Sequence, residues 1–219
     1  MKTTSFLSSL LTVLCLLLPT AAQARPNVPE LKDDPRYLLY IPVHNRNSPR
    51  PLVVALSPTG TAEDMYEAWH LAADKRGWFI LASREFRNGI DNWVGPLDAI
   101  INEVTSQYLI DGSKIILAGF SGGGMASHTY SVYRPYVRVV VTNSGLISTH
   151  MKKLGNYPRW KTAVFMASPT DTRYIEMKQN QMFLASLGWK TLWIDFEGGH
   201  NIAPEDCYEA AAKWIESQW

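Results

Sequence analysis

The sequence predicts a wound α/β protein, in which a mostly parallel sheet carries helices on both faces. Short apolar runs alternate with longer amphipathic segments across residues 37–218, as expected of a chain that alternates strands and helices. Several of the short runs, such as Ile115–Leu117 and Val139–Val141, contain no polar residue. Uninterrupted apolar runs of this length are typical of parallel strands that are buried on both faces of a sheet.

Seven strands and five helices are predicted from these patterns. The predicted strands are Tyr37–Val43, Leu52–Ser57, Trp78–Ala82, Lys114–Gly119, Val137–Thr142, Ala163–Ala167 and Thr191–Phe196. Thr61 and Asp64 have the spacing of a capping box, which predicts a helix that runs to about Lys75. Apolar residues at helical spacing after Pro96 predict a second helix, as far as Tyr108. The remaining predicted helices are Gly122–Tyr133, Arg173–Ser186 and Pro204–Gln218.

The first 24 residues have the features of a signal peptide. Lys2 is followed by an apolar run, Leu10–Leu18, and then by Ala22-Gln23-Ala24, the small-x-small pattern of a cleavage site. A membrane anchor is the alternative, but this run is much shorter than the ~20 apolar residues that span a bilayer. We therefore expect a secreted or periplasmic protein that is cleaved after Ala24, keeps no stable membrane anchor and forms a single domain over residues 25–219.

Charge and cysteine content exclude several classes of partner and of fold. The formal net charge of +1 becomes zero when Lys2 leaves with the leader, so nothing favours binding to nucleic acid or to an anionic membrane. Cys15 leaves with the leader too, and Cys207 then has no partner for a disulfide. No Cys/His cluster and no phosphate-loop motif is present, so we expect neither a metal nor a cofactor. The oligomeric state stays open.

Gly119-Phe120-Ser121-Gly122-Gly123 has the pattern of a nucleophile elbow. A predicted buried strand leads into it and a predicted helix follows. In such an elbow the serine occupies a strained turn that exposes its hydroxyl, and the glycines leave room for the neighbouring backbone. The start of the helix directs free N–H groups at the site. Ser121 is therefore the predicted nucleophile.

A serine nucleophile needs a base, and that base needs an orienting acid. In this type of site the chain order is Ser, then Asp or Glu, then His. Asp171 follows the strand Ala163–Ala167 and His200 follows the strand Thr191–Phe196, so both are predicted to lie at the same sheet edge as Ser121. Asp171 could instead be only a helix cap. Glu176 and Asp195 are rival acids, and the rival histidines are His44, His70, His128 and His150.

The remaining site predictions concern the oxyanion hole and the substrate. The backbone N–H of Gly122 is one expected oxyanion donor, and Thr59 is expected to supply the other, because Pro58 has no N–H. The long irregular connection Arg84–Gly95 follows a strand, so it is expected at the carboxyl edge, where α/β proteins bind ligands. Trp93 in that connection and Phe120 in the elbow are the predicted substrate-binding residues.

With these residues in place, the chain resembles the α/β-hydrolase superfamily across nearly all of residues 25–219. Within it, the chain is similar to secreted esterases related to poly(3-hydroxybutyrate) depolymerases and to feruloyl or acetylxylan esterases. The stretches that carry the resemblance are Pro51–Leu56, Asn92–Leu97, Ile110–Ile115 and Gly119–Met125. The resemblance implies hydrolysis of a small-molecule or polymer ester through an acyl-enzyme, without a cofactor. It also places Thr59 directly after the family's usual His-Gly pair, which is Ser57-Pro58 here.

Two other functions are compatible with these residues. An amidase or peptidase could use the same three side chains, and an inactive hydrolase fold could serve as a binding protein. An intact Ser-Asp-His set argues against the binding protein, which needs none of the three. Little chain is inserted between the strands Val137–Thr142 and Ala163–Ala167, which favours an open cleft over a lidded lipase.

Overall fold

The computed structural model describes residues 28–43, 48–154 and 156–219, so the predicted leader and His44 lie outside the described residues. Eight strands form one sheet: β1 (Glu30–Asp34), β2 (Tyr37–Ile41), β3 (Arg50–Leu56), β4 (Phe79–Ser83), β5 (Ile110–Phe120), β6 (Val139–Asn143), β7 (Thr162–Ala167) and β8 (Lys190–Asp195). The helices are α1 (Ala62–Arg76), α2 (Val94–Gln107), α3 (Gly122–Tyr133), α4 (Thr149–Lys152), α5 (Tyr174–Ser186) and α6 (Glu205–Glu216).

The strands lie in the order β1-β2-β4-β3-β5-β6-β7-β8. β2 pairs antiparallel with both β1 and β4. From β4 to β8 every neighbouring pair is parallel. The predicted mostly parallel sheet is therefore confirmed, and the carboxyl ends of β5, β7 and β8 share one edge.

Both faces of the sheet are covered, as the apolar runs predicted. In β3, Leu52, Val54 and Leu56 belong to the core on one face, while Val53 and Ala55 belong to the core on the other. Helices α1 and α6 supply the second core, and α2 to α5 supply the first. A strand whose alternate side chains enter two different cores must be apolar at every position.

The structure differs from the sequence prediction in several places. Strand β1 and the short helix α4 were not predicted, and β5 begins four residues earlier than expected, at Ile110. The predicted capping box at Thr61 is wrong. The helix starts directly after Thr61, but the Thr61 hydroxyl pairs with Thr59 Oγ1 at 2.8 Å and makes no capping bond. Among the described residues, no helix has the length and apolarity that a membrane crossing requires.

Candidate active site

Ser121 occupies a one-residue turn between β5 and α3. Its backbone angles are φ 52° and ψ −116°, a conformation that is costly for a residue with a Cβ. The Ser121 N–H donates to the carbonyl oxygen of Asn143 at 2.8 Å, which ties the turn to the end of the neighbouring strand β6. The chain thus holds a strained serine at the carboxyl edge, near the middle of the sheet.

The elbow glycines allow this turn because the backbone comes very close to itself. A Cβ at Gly119 would overlap the carbonyl group of Gly123. A Cβ at Gly123 would overlap the carbonyl oxygen of Leu56 in β3. Side chains at these two positions would therefore push α3 away from the sheet.

The structure brings Ser121, His200 and Asp171 together in one hydrogen-bonded series. His200 Nε2 lies 2.9 Å from Ser121 Oγ, and His200 Nδ1 lies 2.7 Å from Asp171 Oδ2. The Asp171 side chain is 1 % exposed, whereas that of His200 is 36 % exposed. A buried carboxylate thus faces an imidazole whose other nitrogen reaches the serine at the surface.

Asp171 stabilises the turn before α5 and contacts the histidine. Its Oδ1 accepts the N–H of Arg173 at 2.9 Å, just before α5, while its Oδ2 faces His200. Its own N–H donates to the carbonyl of Ser168 at 2.9 Å, which closes the turn after β7. Asp171 is therefore not the cap of α5, whose N-cap residue is Arg173 and which has no side-chain capping bond. One carboxylate oxygen serves the turn before the helix, and the other faces the histidine.

The rival acids lie elsewhere. Asp195 Oδ1 accepts hydrogen bonds from the Tyr174 hydroxyl at 2.8 Å and from Trp193 Nε1 at 2.7 Å. Glu176 is exposed in the first turn of α5. In the described part of the chain, neither carboxylate hydrogen-bonds to a histidine.

The rival histidines that the structure describes also lie away from Ser121. His128 lies on the buried side of α3, where its Nε2 lies 2.9 Å from Thr142 Oγ1. His70 packs edge-on against Tyr40 with ring centroids 5.4 Å apart, and His150 is exposed in α4.

Of the predicted oxyanion donors, Gly122 directly follows Ser121, and Thr59 lines the same cleft as Ser121. Gly122 is the first residue of α3, so its N–H has no partner within the helix. The Thr59 N–H lies 3.4 Å from Ser57 Oγ, a length at which it remains available to a stronger acceptor. The Thr59 hydroxyl bonds Ser57 Oγ at 2.8 Å, and Pro58 accepts the N–H of Asn88 at 2.8 Å, so the loop is held in place.

Two clefts meet at Ser121. The histidine cleft, of about 630 Å³, is lined by Thr59, Phe120, His200 and Ile202 among others. The arginine cleft, of about 430 Å³, is lined by Arg87, Trp93, Gly122 and Arg173 among others. Both volumes are in the range of small-molecule sites.

Each predicted substrate-binding residue borders one of these clefts. Phe120 lies in the histidine cleft and packs against the His200 ring, with centroids 5.3 Å apart. Trp93 lies in the arginine cleft and packs edge-on against Phe86 at 5.2 Å.

Sequence reasoning missed Asn143, a buried residue that links the elbow to the His200 loop. Its backbone carbonyl accepts the Ser121 N–H, as described above. Its side-chain Oδ1 accepts the Ala203 N–H at 2.7 Å and the Tyr208 hydroxyl at 3.0 Å, while its Nδ2 donates to the Asn201 carbonyl at 3.1 Å. The signal in the sequence is a polar residue that directly follows the buried run Val139–Thr142.

Comparison with known proteins identifies the fold. No protein-family model and no curated protein sequence matches the chain. Among solved structures, a bacterial heroin esterase is similar at TM-score 0.69 and 14% identity, over 87% of this chain and 83% of that one. A fluorophosphonate-binding serine hydrolase from Staphylococcus aureus is similar at TM-score 0.68 and 10% identity, over 86% of this chain and 97% of that one. Esterase PE8 is similar at TM-score 0.65 and 18% identity, over 78% of this chain and 94% of that one.

These structures are similar in fold to this chain over most of their length. The order of the strands, the helices on both faces and the serine elbow after β5 agree with that likeness. The chain therefore has the α/β-hydrolase fold.

Proposed function

We propose that this chain is a serine hydrolase that cleaves carboxylic esters through an acyl-enzyme. The observation that carries the proposal is the series of hydrogen bonds from Ser121 Oγ through His200 to the buried carboxylate of Asp171. A buried acid, an imidazole and a serine in a strained elbow are the parts that activate a hydroxyl for acyl transfer.

In the proposed reaction, Ser121 Oγ attacks the ester carbonyl carbon while His200 Nε2 takes the hydroxyl proton. The negative charge that forms on the carbonyl oxygen accepts hydrogen bonds from the N–H groups of Gly122 and Thr59. His200 then gives the proton to the departing alcohol, and the acyl group stays on Ser121. A water molecule then attacks the acyl-enzyme in the same way, with His200 taking its proton, and the acid is released from Ser121. Asp171 orients the imidazole and stabilises it while it is charged.

The structural neighbours agree with this reaction class. Those described above are an esterase, a heroin esterase and a serine hydrolase that binds fluorophosphonates. Two of the three are esterases by name and the third is a serine hydrolase, which supports an ester substrate for this chain as well.

A comparison of matched ester and amide substrates tests the proposal. Wild-type protein and Ser121→Ala are assayed with 4-nitrophenyl acetate and with 4-nitroacetanilide, which share an acyl group. We expect the wild type to turn over the ester much faster than the anilide, and Ser121→Ala to lose about 10⁴-fold or more of the ester activity. Faster cleavage of the anilide would identify an amidase, and equal ester activity of the two proteins would rule out Ser121.

We also propose that the protein is exported after cleavage of residues 1–24. The charged start, the apolar run and the Ala22-Gln23-Ala24 pattern support this proposal. Mass spectrometry of the protein secreted or released from the periplasm should give a chain that begins at Arg25. Full-length protein retained inside the cell would contradict the proposal.

A further inference from the structure

We infer that the preferred substrate is an ester whose acyl group carries a negative charge at its far end, such as the half-ester of a dicarboxylic acid. This inference rests on the proposed function and deepens it, because it concerns the acyl part of the same substrate. It follows from two observations. The histidine cleft and the arginine cleft meet at Ser121, and the arginine cleft is positively charged.

The position of His200 assigns one cleft to each half of the ester. In the proposed reaction His200 Nε2 must reach the leaving oxygen in order to protonate it. His200 lines the histidine cleft but not the arginine cleft, and Ser121 lines both. The departing alcohol therefore belongs in the histidine cleft, and the acyl chain extends into the arginine cleft.

The arginine cleft is positively charged. Arg87 and Arg173 both line it, both are exposed, and no acidic residue is among its lining residues. In the described part of the chain, neither guanidinium has a carboxylate partner. Four acids lie nearest to these arginines in sequence, and none of them borders either cleft: Glu85, Asp91, Asp171 and Glu176. Asp171 accepts only the backbone N–H of Arg173, and its other carboxylate oxygen faces His200. Two unpaired guanidinium groups in one cleft favour an anion, since each can bind a carboxylate through two parallel hydrogen bonds.

Apart from the arginines, the cleft is lined mostly by apolar residues. Gly122, Met125, Ala126 and Thr129 line it from successive turns of α3, over roughly 10 Å of helix at 1.5 Å per residue. Trp93 and Phe86, whose rings contact each other, also line it. An acyl chain of several methylene groups that ends in a carboxylate matches both features.

A pair of esters that differ in this one charge tests the inference. The two substrates are the 4-nitrophenyl half-ester of suberic acid and the corresponding 4-nitrophenyl methyl suberate, which has the same chain and no charge. The measured quantity is the ratio of their kcat/KM values, because a general folding defect lowers both values and leaves the ratio unchanged. We expect wild-type protein to prefer the anionic ester by roughly tenfold, and added salt to reduce this preference.

Variants then locate the charge recognition. Arg87→Gln and Arg173→Gln should each lower the ratio by roughly three- to fivefold, at the upper end of what an exposed ion pair contributes. Arg159→Gln is the matched control, because Arg159 is exposed and borders neither cleft, and it should leave the ratio unchanged.

A ratio near one in the wild type would overturn the inference while leaving ester hydrolysis intact, and so would a preference that both cleft variants retain. If neither ester were hydrolysed, the proposed function itself would fail and this inference with it.

Discussion

The side-chain oxygen of Asn143 accepts the backbone N–H of Ala203 at 2.7 Å, three residues beyond His200. The same side chain donates to the carbonyl of Asn201, directly after His200. One buried amide therefore holds the loop that carries the histidine against the strand next to the serine elbow.

Replacing this amide should misplace His200 relative to Ser121. We expect Asn143→Ala to lower kcat for ester hydrolysis by about tenfold or more with little change in KM, because the histidine acts in the chemical step. The unpaired buried groups left behind should also lower the free energy of unfolding by about 1–3 kcal/mol. Steady-state kinetics and urea unfolding measure the two effects.

Asn180→Ala is the matched control. Asn180 is fully buried and accepts a hydrogen bond from Lys152 Nζ at 2.9 Å, but it lies on α5 and borders neither cleft. This variant should lose stability and keep its kcat. A similar loss of kcat in both variants would contradict a positioning role for Asn143.

The acid of the site can be identified by comparing three carboxylates. Asp171→Asn should lower kcat by about 10⁴-fold, because an amide cannot stabilise the imidazolium of His200 and favours the wrong tautomer. Asp195→Asn and Glu176→Gln should change kcat by less than about tenfold, since Asp195 faces Tyr174 and Trp193 and Glu176 is exposed on α5. Steady-state assays of the three variants decide the assignment, and a larger loss in either rival would transfer the role of the acid to it.

The central sheet was predictable because its strands are buried on both faces, which leaves a clear apolar signal in runs such as Val139–Val141. Strand β1 leaves no such signal. Four of its five residues are exposed, and it forms because the edge of β2 offers unpaired backbone groups to Glu30–Asp34. Strand β1 is stabilised by its pairing with β2 rather than by burial of its own side chains, so the local pattern of apolar residues did not predict it.

The candidate site divides in the same way. Ser121, Asp171 and His200 could be placed from a short motif, chain order and strand ends, and the structure brings the three together. The sequence alone did not indicate a role for Asn143 or for the two arginines of the arginine cleft. Their roles depend on contacts between segments that are distant in sequence, such as the contact of Asn143 with Ala203, and one sequence does not record which segments meet.

Alanine at two adjacent elbow positions should have very different effects on stability. At Gly123 a Cβ would overlap the backbone carbonyl of Leu56, which the sheet holds in place. At Gly122 it would overlap only the side-chain amide of Asn88, which is exposed and can turn away. We expect Gly123→Ala to lose more than about 3 kcal/mol of stability or to fail to fold, and Gly122→Ala to stay within about 1 kcal/mol of the wild type.

Thermal and urea unfolding of both variants test this difference. Equal stability of the two proteins would show that the close approach of α3 to β3 does not require glycine at position 123.

The buried histidine predicts an acid-sensitive core. Burial, with a smaller contribution from the charge of Lys161, lowers the pKa of His128 to about 3 from an ordinary value of 6.5. Between these values the unfolded chain binds a proton that the folded protein does not, so stability falls as the pH falls from 6.5 towards 3. The contribution of His128 approaches about 1.4 kcal/mol per pH unit within that window.

Replacing His128 by an amide that does not titrate should remove this contribution. His128→Gln should lose less unfolding free energy than the wild type when the pH is lowered from 6 to 4, whatever its absolute stability. Urea unfolding of both proteins at several pH values measures the slopes. Parallel slopes would show that His128 binds its proton equally well in the folded and unfolded states.

Ser121 can be tested as the nucleophile by locating the residue that becomes covalently modified. The protein is treated with a fluorophosphonate, digested and analysed by peptide mass spectrometry, with Ser121→Ala and Ser106→Ala treated in parallel. Ser106 is an exposed serine on α2 that borders neither cleft, so it serves as the matched control. The assignment of Ser121 as nucleophile predicts one phosphonyl group on Ser121 in the wild type and in Ser106→Ala, and none in Ser121→Ala. Modification of another residue, or a wild type that remains unlabelled while folded, would contradict it.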